Sequence, residues 1–370
     1  MSETATPESR AELPAQSPPV DPAETAAAGG KSAGPGRLSW WHGDGGEGAK
    51  RNLGLIAVLV VLVVIGAATR SDLYSDPDWV WNNTLTILKL ASVVGVVTVG
   101  MTFVIIGGGI DLSVGAIVAL AGVWSTTVAT QSYGAGGMIF SALTVGVAVG
   151  LVNGLLISYG RLVPFIATLA MMVAARGLAA EISDKQTQVS NNTFINDIAS
   201  TKLLGIPLLV YILAAVVAAG WVLLNRTTFG RRTVAVGGNP EAARLAGINV
   251  RRHTVLLYAL SGLCCGIAAI MLTAQANSAQ AAMANLYELD AIAAAIIGGT
   301  LLSGGRGTIV GSLLGVLIFS TITNLFAING LSTEAQNMVK GGIIVGAVLV
   351  QQVQFRSLTQ FLGRNRATTS

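Results

Sequence analysis

The chain has 370 residues and a mean hydropathy of +0.66, and only 11% of it is charged, against roughly 25% in an average soluble domain. With 52% apolar residues and 45 glycines it cannot cover itself with a polar surface, which excludes an ordinary soluble globular enzyme and points to a polytopic membrane protein. The net charge of +4 then reads as an orientation signal rather than a nucleic-acid-binding surface, and two Cys exclude a disulfide scaffold.

Residues 1–50 hold six of the ten Pro and 11 of the 40 charged residues, without apolar periodicity. They read as a disordered cytoplasmic tail. No apolar stretch follows a basic start, so a signal peptide is not expected. Gly30-Lys31-Ser32 resembles the end of a phosphate-binding loop, but the pattern asks for a Gly where Thr25 stands. The chain is therefore expected to carry no ATPase and no cofactor of its own. His42 and His253 are too few for a metal site, and Cys264 and Cys265 read as small buried hydrophobes.

A transmembrane domain is expected over 51–355, followed by a short cytoplasmic tail at 356–370. Uncharged or nearly uncharged runs cover 53–69, 90–110, 112–160, 162–175, 207–224, 254–274, 291–302, 308–328 and 341–353. The run 112–160 is too long for one helix, and Gly134-Ala135-Gly136-Gly137 is expected to divide it. The run 291–302 is too short to cross a core about 30 Å thick. It must extend back through Glu288 and Asp290 or form a half-helix. The sum is an all-α bundle of about ten transmembrane helices. With the N-terminus inside, 13 Lys and Arg near helix ends fall on the inner side and three (Arg70, Lys185, Lys202) on the outer side. Both termini are therefore placed in the cytoplasm, with Trp79 and Trp81 at the outer interface.

Gly146/Gly150/Gly154, Gly262/Gly266, Gly311/Gly315 and Gly342/Gly346 recur every four residues, a spacing that lets helix backbones approach closely in lipid. One internal echo exists. Ile105-Ile106-Gly107-Gly108, followed by 113–118, matches Ile296-Ile297-Gly298-Gly299, followed by 305–310.

The longest inner loop, 225–253, contains Gly237-Gly238-Asn239-Pro240-Glu241-Ala242-Ala243-Arg244-Leu245-Ala246-Gly247-Ile248. Asn239 suits an N-cap, Pro240 the first helical position, Glu241 the first turn and Gly247 a left-handed C-terminus. A helix of about seven residues is predicted, too short to stand alone in water. Ala242, Leu245 and Ala246 form its apolar face, which must dock on the membrane ends or on a cytosolic partner.

Polar residues inside apolar runs need a reason. Asp111 reads as a helix N-cap, as an ion-pair partner of Arg176, or as lining of a pathway at the 107–113 break. Ser113, Asn153, Thr168 and Asn324 read as interhelical hydrogen-bond partners or pathway lining. Glu288 and Asp290 read as first-turn acids or as contacts of a gate.

These motifs together resemble the permease subunits of ABC importers for monosaccharides, the ribose/xylose/fructose/galactose group, related to the branched-chain amino-acid permeases. The resemblance covers about 84–352. It rests on Gly108-Gly109-Ile110-Asp111-Leu112-Ser113-Val114-Gly115; on Phe165-Ile166-Ala167-Thr168-Leu169 with Met171, Met172, Arg176 and Gly177; on the 237–250 segment; and on Tyr287-Glu288-Leu289-Asp290-Ala291-Ile292-Ala293-Ala294 with Gly298-Gly299-Thr300 and Gly304-Gly305-Arg306-Gly307. It implies a bacterial inner-membrane protein, a homodimer or pseudo-dimer of permeases, two ATP-binding domains inside that hold ATP and Mg, and an external sugar-binding protein. It also implies that Gly238, Asn239, Glu241, Ala242, Ala243, Arg244 and Gly247 belong to a coupling helix against the ATPase. Two alternatives stay open: a permease for branched-chain amino acids, and an ion-coupled secondary sugar carrier. The long 1–50 tail departs from the family pattern.

Overall fold

The computed structural model describes residues 44–346 and 348–349, with side chains from residue 48. The tails expected at 1–50 and 356–370 lie almost wholly outside them. The chain divides into units 1–47 and 48–370, and apart from the first four residues of α1 everything below concerns the second.

In chain order the helices are α1 (Asp44–Thr69), α2 (Ser71–Tyr74), α3 (Pro77–Ile106), α4 (Val114–Ser125), α5 (Val128–Gln131), α6 (Gly134–Ser158), α7 (Pro164–Ile182), α8 (Thr193–Ser200), α9 (Leu208–Arg226), α10 (Thr228–Gly238), α11 (Pro240–Leu245), α12 (Val250–Ala276), α13 (Tyr287–Ile297) and α14 (Ile309–Ile328). Residues 333–346 are also helical. Two short antiparallel ribbons staple the loops: β1 (Gln188–Val189) pairs with β4 (Ser278–Ala279), and β2 (Lys202–Leu203) with β3 (Ile206–Pro207). Among the described residues, seven helices are long and apolar enough to cross a membrane: α1, α3, α6, α7, α9, α12 and α14.

The helix starts follow local chemistry. Asp76, Asn192, Asn239, Asn249 and Thr308 each accept a hydrogen bond from a backbone N–H in the first turn that follows, satisfying a donor that has no partner inside its own helix. Pro77, Pro164 and Pro240 occupy first positions, where the missing N–H costs nothing.

α3 runs through the centre, with α9, α12, α13 and α14 packed round it. α1 is almost wholly exposed along its apolar length, as expected of a lipid-facing helix. The most extensive helix contact joins α6 to α12. Gly146, Gly150 and Gly154 face Gly262, Gly266 and the backbone of Tyr258 and Val255, so closely that methyl groups there would overlap backbone atoms. Two glycine series read separately in the sequence are thus the halves of one interface. Gly342 and Gly346 have no atom near the position of an added Cβ, so that pair packs against nothing among the described residues.

Two expectations are corrected, and a third, left between two alternatives, is resolved. The 134–137 glycine run does not separate two helices, because α6 begins at Gly134 and the division falls at 126–133, around α5. α3 starts thirteen residues before the uncharged run at 90, because Asp76 and Pro77 start a helix that Asp78 and Lys89 do not stop. α13 does extend back through Glu288 and Asp290, yet at 11 residues it remains a half-helix, about 16 Å long.

The internal echo has a structural meaning in its first part. Gly108 and Gly299 adopt left-handed φ of +84° and +85°. Gly109 N–H donates to the Val104 carbonyl and Thr300 N–H to the Ala295 carbonyl, each at 2.9 Å. Both are the same helix ending, a Schellman motif that needs Gly for its left-handed residue. The second part diverges: Val114 already opens α4, whereas 305–307 are still loop.

At the end of the bundle away from α11, Arg70 donates to the Ile328 carbonyl and pairs with Asp72, and the latter contact holds the Asp72 carboxyl below its ordinary range. Tyr74 and Trp79 pack ring to ring nearby, 5.1 Å between centroids.

Candidate functional site

Two groups of residues converge: a short exposed helix at one end of the bundle and a buried polar cluster within it. α11 is closed at both ends as its sequence dictates. The Asn239 side chain accepts from Ala242 N–H at 3.0 Å. Gly247 takes φ +83°, and Ile248 N–H donates back to the Ala243 carbonyl at 3.0 Å. Its inward face is not the one expected. Ala243 is buried and Ile248 half-buried, while Ala242, Leu245 and Ala246 point outward and Leu245 is 79% exposed. The three-residue apolar face is therefore free, since one small side chain anchors the helix. Glu241 and Arg244 pair with each other at 2.9 Å across one turn, in solvent, where such a pair is worth at most about 1 kcal/mol. Arg51, Arg226, Arg231, Arg232, Arg244, Arg251 and Arg252 all belong to segments at this end.

α10 joins α11 to the body. Phe229 packs on Phe103 of α3 and on His253 of α12, with centroids 6.1 and 4.7 Å apart. His253 Nε2 lies 2.9 Å from Thr233 Oγ1. His253, dismissed above as a metal ligand, is thus the bolt between α10 and α12. A lone His gives no sequence signal for that role.

The buried cluster sits at the break between α3 and α4. Asp111 is completely buried. Its Oδ1 accepts from Ser113 N–H at 3.0 Å and from Ser113 Oγ at 2.5 Å, and its Oδ2 accepts from Ser261 Oγ of α12 at 3.1 Å. Asn153 Nδ2 of α6 donates to Ser113 Oγ at 2.8 Å, leaving Asn153 Oδ1 buried without a partner. Thr168 Oγ1 of α7 and Tyr258 OH of α12 both approach the Ile110 carbonyl, at 3.5 and 3.2 Å. Asp111, Ser113, Asn153 and Thr168 therefore form one constellation, completed by Ser261 and Tyr258, which sequence reasoning missed. Asp111 accepts hydrogen bonds at the break, but it is not the N-cap of α4, a position that Ser113 takes, and it does not pair with Arg176. The Arg176 guanidinium instead donates to the carbonyls of Ala281 and Met283, each at 2.7 Å, and of Ala284 at 3.3 Å.

Glu288 approaches this constellation through Gly115. A Cβ on Gly115 would stand 2.6 Å from Glu288 Oε2 and 3.5 Å from Arg176 Nη2. Glu288 Oε2 is buried without a hydrogen-bond partner. Asp290 and Asn324 belong elsewhere. Asp290 pairs with Lys340 at 3.2 Å, and Asn324 Nδ2 donates to Asn83 Oδ1 of α3 at 2.9 Å. Lys340 also escaped the sequence reading. Its signal was there: it is the one charge between Glu334 and Arg356.

Such an arrangement offers hydrogen bonds to a neutral, hydroxyl-bearing molecule. A polar cavity of about 570 Å³ opens at the other end of the bundle between Lys89, Ser190, Asn196, Asp197, Gln275 and Asn277.

Residues 83–348 match the family described as branched-chain amino acid transport system / permease component. The chain is 42% identical to the ribose import permease protein RbsC of Bacillus subtilis over 320 residues, covering 83% of this chain and 94% of that protein. It is 38% identical to RbsC of Escherichia coli K12 over 300 residues, covering 80% and 92%. It is 33% identical to the galactose/methyl galactoside import permease protein MglC of Salmonella typhimurium over 325 residues, covering 82% and 94%. No solved structure matches.

Proposed function

This chain belongs to the permease family that holds the bacterial ribose and galactose import permeases, and from that premise we propose that it is the membrane-spanning subunit of an ATP-driven monosaccharide importer. It is a multi-pass protein of the bacterial inner membrane. In the proposed arrangement the half-helices α4 and α13, each completed by the loop beside it, and the last helix bring the seven long helices to ten passes, with both termini in the cytoplasm. The Arg-rich α11 end faces inward, in keeping with the excess of basic residues on cytoplasmic loops. Two permeases pair, and two ATP-binding subunits that hold ATP and Mg dock on α11. A sugar-binding protein delivers cargo to the opposite end. The chain itself does no chemistry. ATP draws the cytosolic subunits together, α11 moves with them, and the bundle alternates between outward and inward openings.

The observation that carries this reading is α11: a helix terminated at both ends, held by Ala243 alone, with Ala242, Leu245 and Ala246 left free. A helix this short is unstable in water without support, so a free apolar face at a basic end calls for a partner. The cluster of Asp111, Ser113, Asn153 and Thr168, with Glu288 beside it, would then lie along the pathway, and the pairs of Asp290 and Asn324 would hold the gate helices.

The family description itself favours a second reading, transport of branched-chain amino acids. A zwitterion asks for a free cation and a free anion in the pathway. Arg176 is committed to three backbone carbonyls and Lys340 to Asp290, which suits a neutral cargo better.

The test is reconstitution in proteoliposomes with the cognate ATP-binding and sugar-binding proteins. Labelled ribose uptake should require ATP and all three components. Uptake by this chain alone, driven by a proton or sodium gradient and indifferent to ATP, would overturn the reading in favour of a secondary carrier.

A further inference from the structure

Three backbone segments meet at a single point just inside α11. Gly237 stands in the last turn of α10, Ile106 ends α3 with Gly107 and Gly108 just beyond it, and Gly304-Gly305 lie in the loop between α13 and α14. Gly305 N–H donates to the Ile106 carbonyl at 2.8 Å. A methyl on Gly237 would collide with that same carbonyl oxygen and stand 2.8 Å from the Gly305 nitrogen. A methyl on Gly304 would lie 2.8 Å from the Gly237 oxygen and 2.9 Å from the Gly108 Cα. No side chain intervenes at any of the three contacts.

The motifs at 107–109, 237–239 and 304–307, far apart in sequence, are therefore one structure. Beside it lies a cavity of about 410 Å³, bounded by Gly107, Gly108, Gly238, Pro240, Ser303 and Tyr258. The α10–α11 corner thus has hard backbone on one side and open space on the other. Asn239, the α11 cap, is two residues from Gly237.

We propose that Gly237 is the positioning residue through which displacement of α11 enters the membrane body, pressing at once on the end of α3 and on the α13–α14 loop. This rests on the reading of the chain as an ATP-driven permease and specifies its transmission. Side chains between two moving elements can absorb a small shift by changing rotamer, whereas backbone packed on backbone cannot. The two points struck are those from which the half-helices α4 and α13 hang. α4 follows the α3 break directly, and α13 ends at Gly298, next to the loop. One displacement thereby reaches both breaks, and the Asp111 cluster is three residues beyond Gly108.

A helical glycine outside the coupling segment is the control. An added methyl on Gly54 of α1 meets no described atom within 4 Å, and Ala suits a helix better than Gly does. The experiment measures ribose taken up per ATP hydrolysed by the complete reconstituted importer, with G237A, G54A and the unaltered chain side by side. G54A should match the unaltered chain. G237A should keep ATP hydrolysis within about two-fold while uptake per ATP falls by about five-fold or more, the range of an ordinary coupling energy. A residue that merely stabilised the fold would lower hydrolysis and uptake in proportion. That result, or an unchanged ratio in G237A, would overturn the inference.

Should G237A fail to assemble, G108A takes its place: its methyl meets the Gly237 Cα at 3.7 Å and the Gly237 oxygen at 3.9 Å, and the backbone strain that its φ of +84° adds is read separately from the unfolding midpoint. It should show a smaller fall in the same ratio, and an unaltered ratio would overturn the proposal. Failure of ATP-dependent uptake by the unaltered importer would instead count against the function itself.

Discussion

Asp290 and Lys340 form an ion pair at 3.2 Å whose side chains are only 11% and 17% exposed. Asp290 stands in the first turn of the half-helix α13, and Lys340 in the helical stretch 333–346. The ammonium also lies 5.3 Å from the Phe319 ring centroid of α14. A short helix that cannot span the bilayer is thereby tied to two neighbours. Removing one partner of such a pair leaves a buried charge uncompensated, at a cost of about 3–5 kcal/mol. Lys340→Met should lower the unfolding midpoint of the purified protein in detergent. Adding Asp290→Asn to that variant should restore most of the loss. Additive losses in the double variant would show that the two side chains do not act as a pair.

The glycine interface between α6 and α12 makes a second prediction. Gly150→Ala places a methyl against the Tyr258 carbonyl and should destabilise the bundle by about 1–3 kcal/mol, the usual cost of overpacking. Gly342→Ala meets no atom within 4 Å and should stay within about 0.5 kcal/mol of the parent, as exposed substitutions do. Thermal unfolding of both variants under one detergent condition makes the comparison. Equal effects would remove the distinction between the two glycine series.

These two cases also show what the sequence could and could not disclose. Spacing announces that glycines at every fourth residue will line a helix face, but not which face answers it. Gly146–Gly150–Gly154 found Gly262–Gly266, and Gly342–Gly346 found nothing among the described residues, although all read alike. The α11 boundaries were legible because caps are local chemistry: Asn239, Pro240 and Gly247 act within four residues of themselves. Its buried residue was misjudged because Ala243 is selected by α10 and α12, which are set by tertiary packing. Asp111 was legible as the mark of a break, although the cap itself is Ser113. Its partner Ser261 lies 150 residues away, and Asn153 joins the cluster only through Ser113, so only the fold could name them. Arg176 illustrates the limit. Charge alone suggested Asp111 as its partner, whereas three carbonyls of the 281–284 turn, which need donors more, took it.

The Asp111 cluster supplies a third prediction. A typical hydrogen bond contributes about 0.5–1.5 kcal/mol, and leaving a buried partner unsatisfied costs about 1–3 kcal/mol. Asp111→Ala loses three acceptor contacts and strands the Ser113 and Ser261 hydroxyls, so it should abolish stable expression or lower the unfolding midpoint sharply. Ser261→Ala removes one contact and should cost roughly half as much or less. Asn153→Ala removes a donor to Ser113 together with an unpartnered Oδ1, and should be the mildest for stability. If that oxygen faces the cargo, ribose uptake by Asn153→Ala should fall more than its stability does. Parallel measurement of unfolding midpoint and uptake rate separates the two effects, and equal loss in both would confine Asn153 to packing.

Leu245 makes the sharpest test of the outward face of α11. It is the largest apolar side chain there and is 79% exposed, so nothing among the described residues accounts for it. Leu245→Glu should leave the unfolding midpoint within about 0.5 kcal/mol of the parent, because the side chain buries little in the isolated chain. In the assembled importer the same change sets a carboxylate against the surface that receives α11, and burying an unpaired charge is costly. The ATP-binding subunit should then fail to co-purify, and ATP-dependent uptake should be lost. Glu241→Gln serves as the milder comparison. It breaks only a solvent-exposed pair with Arg244, worth at most about 1 kcal/mol, and should leave the permease folded. Retention of the ATP-binding subunit at parental levels by Leu245→Glu would mean that α11 docks through another face, or on no partner at all.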